Sequence, residues 1–113
     1  MTAECGVPRL GDASFEEMVL KAPTRTLVHF AARESDCEHC DLASCQTGLP
    51  CFCVVGETCP GLVARYAIGE YPTILVFSGG RIVRRLIGQC LPGQVQTILQ
   101  SEGLLSRKGF DHP

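Results

Sequence analysis

Proline at position 72 constrains the fold of this chain more than any other single residue. It stands immediately before a short run of β-forming residues, Thr-Ile-Leu-Val-Phe, that ends at Phe77. Proline has no N–H to donate to a β-ladder and is found at the starts or edges of strands. A peptide bond that precedes proline is also the only kind that adopts the cis form at low cost. We therefore predict that Pro72 opens a strand and that Tyr71–Pro72 is a candidate cis bond.

A Cys-x-x-Cys pair, Cys37-Glu-His-Cys40, lies upstream of this strand. Ser35 and Glu38 have the spacing of a capping box, which places Cys37 in the first turn of a helix and Cys40 one turn later. Unpaired backbone N–H groups and the positive end of the helix dipole favour a thiolate at that point. Because disulfide exchange needs a thiolate and a second thiol within reach, we predict Cys37 as the nucleophile and Cys40 as the resolving thiol.

Hydrophobic periodicity along the chain predicts an α/β domain. Strand–helix–strand units would form the parallel half of a sheet, and a Ser-Gly-Gly hairpin at 78–80 would close an antiparallel half. In chain order, the predicted elements are a weak edge strand at 7–10, a helix opened by a capping box at Ser14–Glu17, a buried strand over Thr26–Ala31, a short helix after Ser35, a strand over Cys51–Val55, a helix near Pro60, the strand led by Pro72, a strand over Arg81–Ile87 and a helix over Gln94–Glu102.

The same periodicity predicts which side chains share a face. One apolar stripe is expected on the first helix, and simple alternation is expected along the strand after the hairpin. The helical stripe comprises Phe15, Met18 and Val19, and the strand places Ile82, Arg84 and Leu86 opposite Val83, Arg85 and Ile87.

The segment from Tyr66 to Ile82, Tyr-Ala-Ile-Gly-Glu-Tyr-Pro-Thr-Ile-Leu-Val-Phe-Ser-Gly-Gly-Arg-Ile, resembles the cis-proline segment of the thioredoxin superfamily. The order of the elements is also similar, and the resemblance runs over about residues 10–104. It implies a thioredoxin fold, with a mixed central sheet of about four or five strands flanked by helices. The helix after the cysteine pair would be shorter than in typical members.

In that superfamily the cis-proline faces the cysteine pair. The resemblance therefore implies thiol–disulfide exchange through Cys37 and Cys40, with Tyr71, Pro72 and Thr73 binding an extended substrate segment. His39 lies within the pair and would stabilise a thiolate if protonated, so it is a candidate modulator of the cysteine pKa values. His29 occupies the position where typical members keep a buried acid that assists the resolving cysteine. It is a second candidate modulator, although a histidine inside a strand is also a common core residue.

The chain also resembles the thioredoxin-fold domain of phosducin-like proteins. The similar segments are Thr26–Phe30, Val55–Cys59, Tyr71–Phe77 and Ile87-Gly88. Those domains generally lack a redox pair and bind G-protein βγ subunits or the cytosolic chaperonin. The alternative is therefore a non-catalytic adaptor domain that docks a protein partner beside Pro72.

Eight cysteines invite a third interpretation. The spacing of Cys37, Cys40, Cys45, Cys51 and Cys53, with His39, supplies enough ligands for zinc or an iron–sulfur cluster. However, no second Cys-x-x-Cys occurs, and two of the thiols are expected on a buried strand. We predict no metal and no cofactor, and we interpret Cys51, Cys53 and Cys59 as small buried apolar residues. Cys45 could instead form a regulatory disulfide.

Composition excludes several classes of partner. The 113 residues suit one domain, predicted to span residues 1–113 with a core at about 10–104 and a flexible tail at 106–113. The formal charge of −2 and a pI near 5.9 provide no electrostatic surface for nucleic acid or anionic membrane. No signal peptide or membrane span is evident. We expect a cytoplasmic monomer that acts on, or binds, a protein.

Overall fold

The computed structural model describes residues 8–33, 49–88 and 92–103, the side chains of residues 92 and 93 excepted. These ranges contain a mixed β-sheet with helices on both faces. Its strands are β1 (Thr26–Ala31), β2 (Cys51–Val55), β3 (Thr73–Ser78) and β4 (Arg81–Ile87). The helices are α1 (Asp12–Phe15), which continues as a π-helical turn over Glu16–Leu20, α2 (Pro60–Arg65) and α3 (Pro92–Ser101). The predicted helix at the cysteine pair and the predicted tail at 106–113 lie outside the described residues.

Strand β1 lies inside the sheet, whose order is β2-β1-β3-β4. It is parallel to β2 and antiparallel to β3, and β4 is antiparallel to β3. Every residue of β1 is buried, as its uninterrupted run of β-forming and apolar residues predicts. The predicted α/β class with a mixed sheet is therefore confirmed. Along the free edge of β2, Arg9 makes a single parallel bridge to Cys53. This bridge lies where the weak edge strand was expected, at residues 7–10.

Alternation along the strands divides the core into two halves. One half lies between the sheet and α3, where Val95 and Leu99 are fully buried. The other lies between the sheet and the helices α1 and α2, and at its centre are three rings. The Phe77 ring is 5.6 Å from that of Phe15 and 5.4 Å from that of Tyr66, both edge-on. Burial raises the pKa of Tyr66, an effect partly offset by the neighbouring Arg65 guanidinium.

The start of α1 differs from the prediction. Ser14 is not the N-cap: Gly11 takes that position, and its backbone N–H donates to Ser14 Oγ at 2.8 Å. The predicted stripe is also only partly correct, because Phe15 and Val19 are buried whereas Met18 is 46% exposed. The helix widens at this point, and the Lys21 N–H bonds to the Glu16 carbonyl five residues back. A π-turn changes the angular spacing of side chains and turns Met18 towards solvent.

The predicted alternation along β4 is wrong at its centre. A β-bulge opposite Val76 and Phe77 inserts one extra residue, so that Phe77 pairs with Ile82 while Val76 pairs with Arg84. Ile82 therefore packs beside the aromatic rings, whereas Leu86 packs on the α3 side. The extra residue, Val83, is 40% exposed.

Removal of the hydroxyl from two buried threonines should change the free energy of unfolding in opposite directions. Thr26 Oγ1 has no hydrogen-bond partner among the described residues, whereas Thr73 Oγ1 donates to the Glu70 carbonyl at 2.7 Å. An unpaired buried hydroxyl costs about 1 kcal/mol or more, and a paired one contributes about that amount. We expect Thr26→Val to raise the free energy of unfolding by about 1 kcal/mol and Thr73→Val to lower it by about 1 kcal/mol. Urea denaturation of both variants measures this, and equal effects would contradict the two hydrogen-bonding states.

Candidate functional site

The carboxyl ends of β1 and β2 meet the peptide that leads into β3. Ala31 is the register partner of Val55, and Phe30 that of Thr73. The segments that follow β1 and β2 stay hydrogen-bonded past the ends of the strands, because the Gly56 N–H donates to the Ala31 carbonyl at 2.7 Å. We call this region, formed by Ala31, Ala32, Gly56, Tyr71 and Pro72, the proline edge.

The Tyr71–Pro72 bond is cis, as predicted. Hydrogen bonds fix the chain on both sides of it. The Pro72 carbonyl accepts from the Gly88 N–H at 2.9 Å, and the Thr73 hydroxyl donates to the Glu70 carbonyl at 2.7 Å. The turn that carries Pro72 is therefore held by β4 on one side and by β3 on the other.

Tyr71 crosses from this turn to the end of β2. A Cβ added to Gly56 would lie 3.0 Å from Tyr71 Cζ and closer still to Oη. Glycine at position 56 thus allows the tyrosine ring to lie directly over the backbone just beyond β2, where the Gly56 N–H bonds to the Ala31 carbonyl. This close approach joins the three segments of the proline edge.

Two exposed apolar side chains lie at and beside the proline edge. Tyr71 is 40% exposed and Ile87, the register partner of Thr73, is 55% exposed. Within the described part of the chain, no hydrogen bond engages the backbone N–H or carbonyl of Tyr71. Free backbone groups beside exposed apolar side chains suit an extended polypeptide, which can bond to the former and pack on the latter.

The predicted substrate-binding residues differ in what they expose. Tyr71 is exposed and Pro72 is half-buried, whereas Thr73 is 1% exposed and directs its hydroxyl to the Glu70 carbonyl. Any contact of Thr73 with a substrate would therefore be made by its backbone. Cys37, His39 and Cys40 lie outside the described residues, so their predicted roles stay predictions.

His29 is buried on the α3 side of the sheet, opposite Cys53 in the β1–β2 register. Its Nδ1 atom is 3.6 Å from Cys53 Sγ. Cys53 is 0% exposed, as expected for a buried apolar residue, but it is disulfide-bonded, which the prediction missed.

The other two described cysteines are thiols; Cys59 is buried as predicted, whereas Cys51 is only half-buried. Cys51 Sγ donates to the Leu49 carbonyl at 3.3 Å, and Cys59 Sγ to the Leu10 carbonyl at 3.8 Å. Residues 8–33, 49–88 and 92–103 contain no group of three or more histidine, cysteine or acidic side chains that could hold a metal ion. The cysteines at 37, 40 and 45, on which the metal hypothesis depends, lie outside these ranges.

Comparisons with known proteins add no assignment, since no family model and no curated sequence matches the chain. Among the helices that the structure describes, none combines the length and apolarity that crossing a bilayer requires.

Proposed function

We propose that this chain is a thioredoxin-fold thiol–disulfide oxidoreductase that acts through Cys37 and Cys40. The observation that carries the proposal is the position of cis-Pro72 beside the carboxyl end of β1. The chain runs from that strand end directly into the cysteine pair. The parallel pairing of β1 with β2 and the antiparallel pairing of β3 with β1 and β4 support the proposal, because a sheet with a parallel half and a hairpin-closed antiparallel half was expected.

Chain length supports the same arrangement. Arg33 follows β1 by two residues, and four peptide units separate it from Cys37. An extended chain covers at most about 3.6 Å per residue, so Cys37 is tethered within roughly 14 Å of Arg33. This short tether supports the proposal that Cys37 acts beside the proline edge.

The proposed reaction is exchange with a disulfide of a protein substrate. The Cys37 thiolate attacks one substrate sulfur, and the substrate S–S bond breaks with its electron pair going to the leaving sulfur, which takes up a proton. The mixed disulfide is then attacked by Cys40 as thiolate, which releases the second substrate thiolate and leaves a Cys37–Cys40 disulfide. During both steps the backbone of Tyr71 would hold the substrate segment, and His39 would favour the Cys37 thiolate if protonated.

The surface at the proline edge supports a protein as the partner. Tyr71 and Ile87 provide exposed apolar contacts, and a formal charge of −2 gives no reason to expect nucleic acid. An adaptor domain without redox activity would use the same surface, so the state of the cysteines separates the two functions. The proposal also includes a cytoplasmic location and a monomeric state.

A redox titration distinguishes the oxidoreductase from the adaptor. The protein is equilibrated in glutathione buffers of different potential, alkylated and mapped by tandem mass spectrometry. The oxidoreductase proposal expects Cys37 and Cys40 to lose and regain their reactivity together, as one two-electron couple. If both thiols are alkylated at every potential, the adaptor function replaces the proposal.

Substitution of Gly56 should perturb Tyr71 without unfolding the domain. A methyl group at position 56 meets the end of a half-exposed ring, which can swing away at low cost, so Gly56→Ala is expected to cost less than about 1.5 kcal/mol. We expect a severalfold rise in KM for a protein disulfide with little change in kcat, because substrate docking is disturbed and the sulfurs are not.

Gly61 in α2 is the matched control, since a Cβ there meets no atom within 4 Å. Gly61→Ala should leave both kinetic constants unchanged and stabilise the helix by up to about 1 kcal/mol. Equal KM values for the two alanine variants would show that Tyr71 does not contact the substrate.

A further inference from the structure

Strand β4 lies at one side of the sheet and has an unpaired edge. Within the part of the chain that the structure describes, β3 is its only strand partner. In an antiparallel pair, residues that bond to the neighbouring strand alternate with residues whose N–H and carbonyl face away from it. The Gly88 N–H donates inward to the Pro72 carbonyl at 2.9 Å. The alternation therefore directs the backbone groups of Arg85 and Ile87 outward and those of Leu86 inward.

Strand β4 is strongly basic. It contains three arginines, at positions 81, 84 and 85, and no acidic residue. The whole chain has a formal charge of −2, so subtraction of these three positive charges leaves −5 for the remaining residues. The strand is thus a basic edge on an otherwise acidic chain.

The described residues neutralise little of this positive charge. Arg84 Nε lies 3.3 Å from Glu102 Oε1, but the two atoms lack the geometry of a hydrogen bond. Arg85 donates to the uncharged Tyr66 carbonyl at 3.1 Å. Arg81 is exposed, and no ion pair joins it to the described part of the chain. All three guanidinium groups therefore keep N–H donors for further carboxylates.

Exposed apolar side chains accompany the arginines. Val83 is 40% exposed at the bulge, and Ile87 is 55% exposed at the end of the strand. Beyond the bulge, Ile87 shares a side of the sheet with Arg85, while Arg84 lies on the other side with Glu102. A strand added along residues 84–88 would therefore meet one apolar and one basic side chain on one face and a second basic side chain on the other.

We propose that the free edge of β4 binds an extended acidic segment of a partner protein, which adds a strand to the sheet. The backbone of that segment bonds to the outward N–H and carbonyl groups of Arg85 and Ile87. Its carboxylates lie opposite Arg84 and Arg85, and an apolar side chain lies opposite Ile87. In the antiparallel direction, the partner sequence reads apolar, any residue, acidic, acidic. This inference goes beyond the proposed function and needs no redox chemistry.

The same features disfavour other occupants of this edge. A second copy paired through β4 would bring arginines against arginines. Residues 104–113 carry Arg107 and Lys108 against Asp111, so this segment is also basic. Nucleic acid phosphates accept hydrogen bonds but have none to donate to the outward carbonyls. Charged residues and a bulge discourage indiscriminate strand pairing, and here they select for an acidic polypeptide.

Amide hydrogen exchange on the wild-type protein tests the proposal at each residue. The probes are the capped peptide Thr-Thr-Val-Thr-Glu-Glu-Val-Thr-Thr and its reversed sequence, which covers parallel pairing. With one of them at saturation, the N–H groups of Arg85 and Ile87 should exchange about tenfold more slowly or less, whereas that of Leu86, already bonded to β3, should change less.

Two outcomes of this experiment would overturn the proposal. One is that neither peptide protects the amides of Arg85 and Ile87. The other is that both amides are already protected in the free protein, which would mean that the chain itself or a second copy covers the edge.

Peptide affinity tests the role of charge. With fluorescein-labelled peptide, Arg85→Gln should weaken binding about fivefold, because a cross-strand ion pair is lost. Arg9→Gln is the matched control, since it removes the same charge at the opposite edge of the sheet and should bind as the wild type does. A peptide with lysines in place of the glutamates should not bind.

Equal affinity of the wild type and Arg85→Gln would contradict recognition of an acidic segment. Tighter binding of an oligothymidylate than of either acidic peptide would replace the polypeptide with nucleic acid and would also overturn the proposal. The Cys37–Cys40 titration is independent of both measurements, so failure of one proposal is distinguishable from failure of the other.

Discussion

Replacement of Cys37 by serine is expected to reduce the catalysed reduction of insulin disulfides to the background rate of dithiothreitol. A hydroxyl at position 37 cannot form the mixed disulfide, so no later step is available to the variant. Insulin turbidity under fixed dithiothreitol measures the loss. This is the largest functional effect that the proposal predicts, because Cys37 is assigned the first bond-forming step.

The control for this substitution is a change at a cysteine that has no role in the proposed reaction. Cys59 is a buried thiol, 4% exposed, at the start of α2, and Cys59→Ser should retain turnover in folded protein. If Cys37→Ser retains wild-type turnover, Cys37 is not the nucleophile. If the wild-type chain itself shows only background reduction, the adaptor function is the better account.

Replacement of Phe77 by alanine is expected to lower the free energy of unfolding by about 3–5 kcal/mol. Phe77 is 1% exposed, and its ring is in edge-on contact with those of Phe15 and Tyr66. Truncation would leave a cavity between the sheet and α1 that the rigid neighbours cannot fill. Such a loss is a large part of the roughly 5–15 kcal/mol typical of a single domain. Urea denaturation, with the redox state of the cysteines held constant, measures the change.

Met18→Ala provides the comparison. Met18 lies in the π-helical turn that follows α1 but is 46% exposed, so its truncation should change the unfolding free energy by less than about 0.5 kcal/mol. Similar losses in the two variants would mean that the aromatic cluster does not form the centre of this half of the core.

Strand positions in this chain were predictable because their residues leave few alternatives. The run from Thr26 to Ala31 is too short for a helix and too apolar for a surface strand, and it forms the buried strand β1. Pro72 could be placed before a strand because it cannot donate to a ladder. The cis bond was predictable as a candidate for a different reason: only a peptide bond that precedes proline adopts the cis form at low cost.

The details that escaped prediction depend on contacts between distant residues. The π-turn after Phe15 and the bulge opposite Val76 and Phe77 are tertiary adjustments that bring aromatic side chains together, and no local pattern encodes them. The disulfide of Cys53 likewise depends on a partner sulfur from outside β2, which no spacing within the strand indicates. The inward direction of the Thr73 hydroxyl is fixed by the Glu70 carbonyl, which the resemblance to a family did not indicate.

The most direct test of the account is a proton–proton contact between the cysteine pair and the proline edge. In the reduced protein, we predict a nuclear Overhauser effect between the Hβ protons of Cys37 and the ring protons of Pro72. Its detection would place the nucleophile at the surface where a substrate segment can bond to Tyr71. Overhauser effects that instead place Cys37 against residues far from Pro72 would contradict the oxidoreductase proposal.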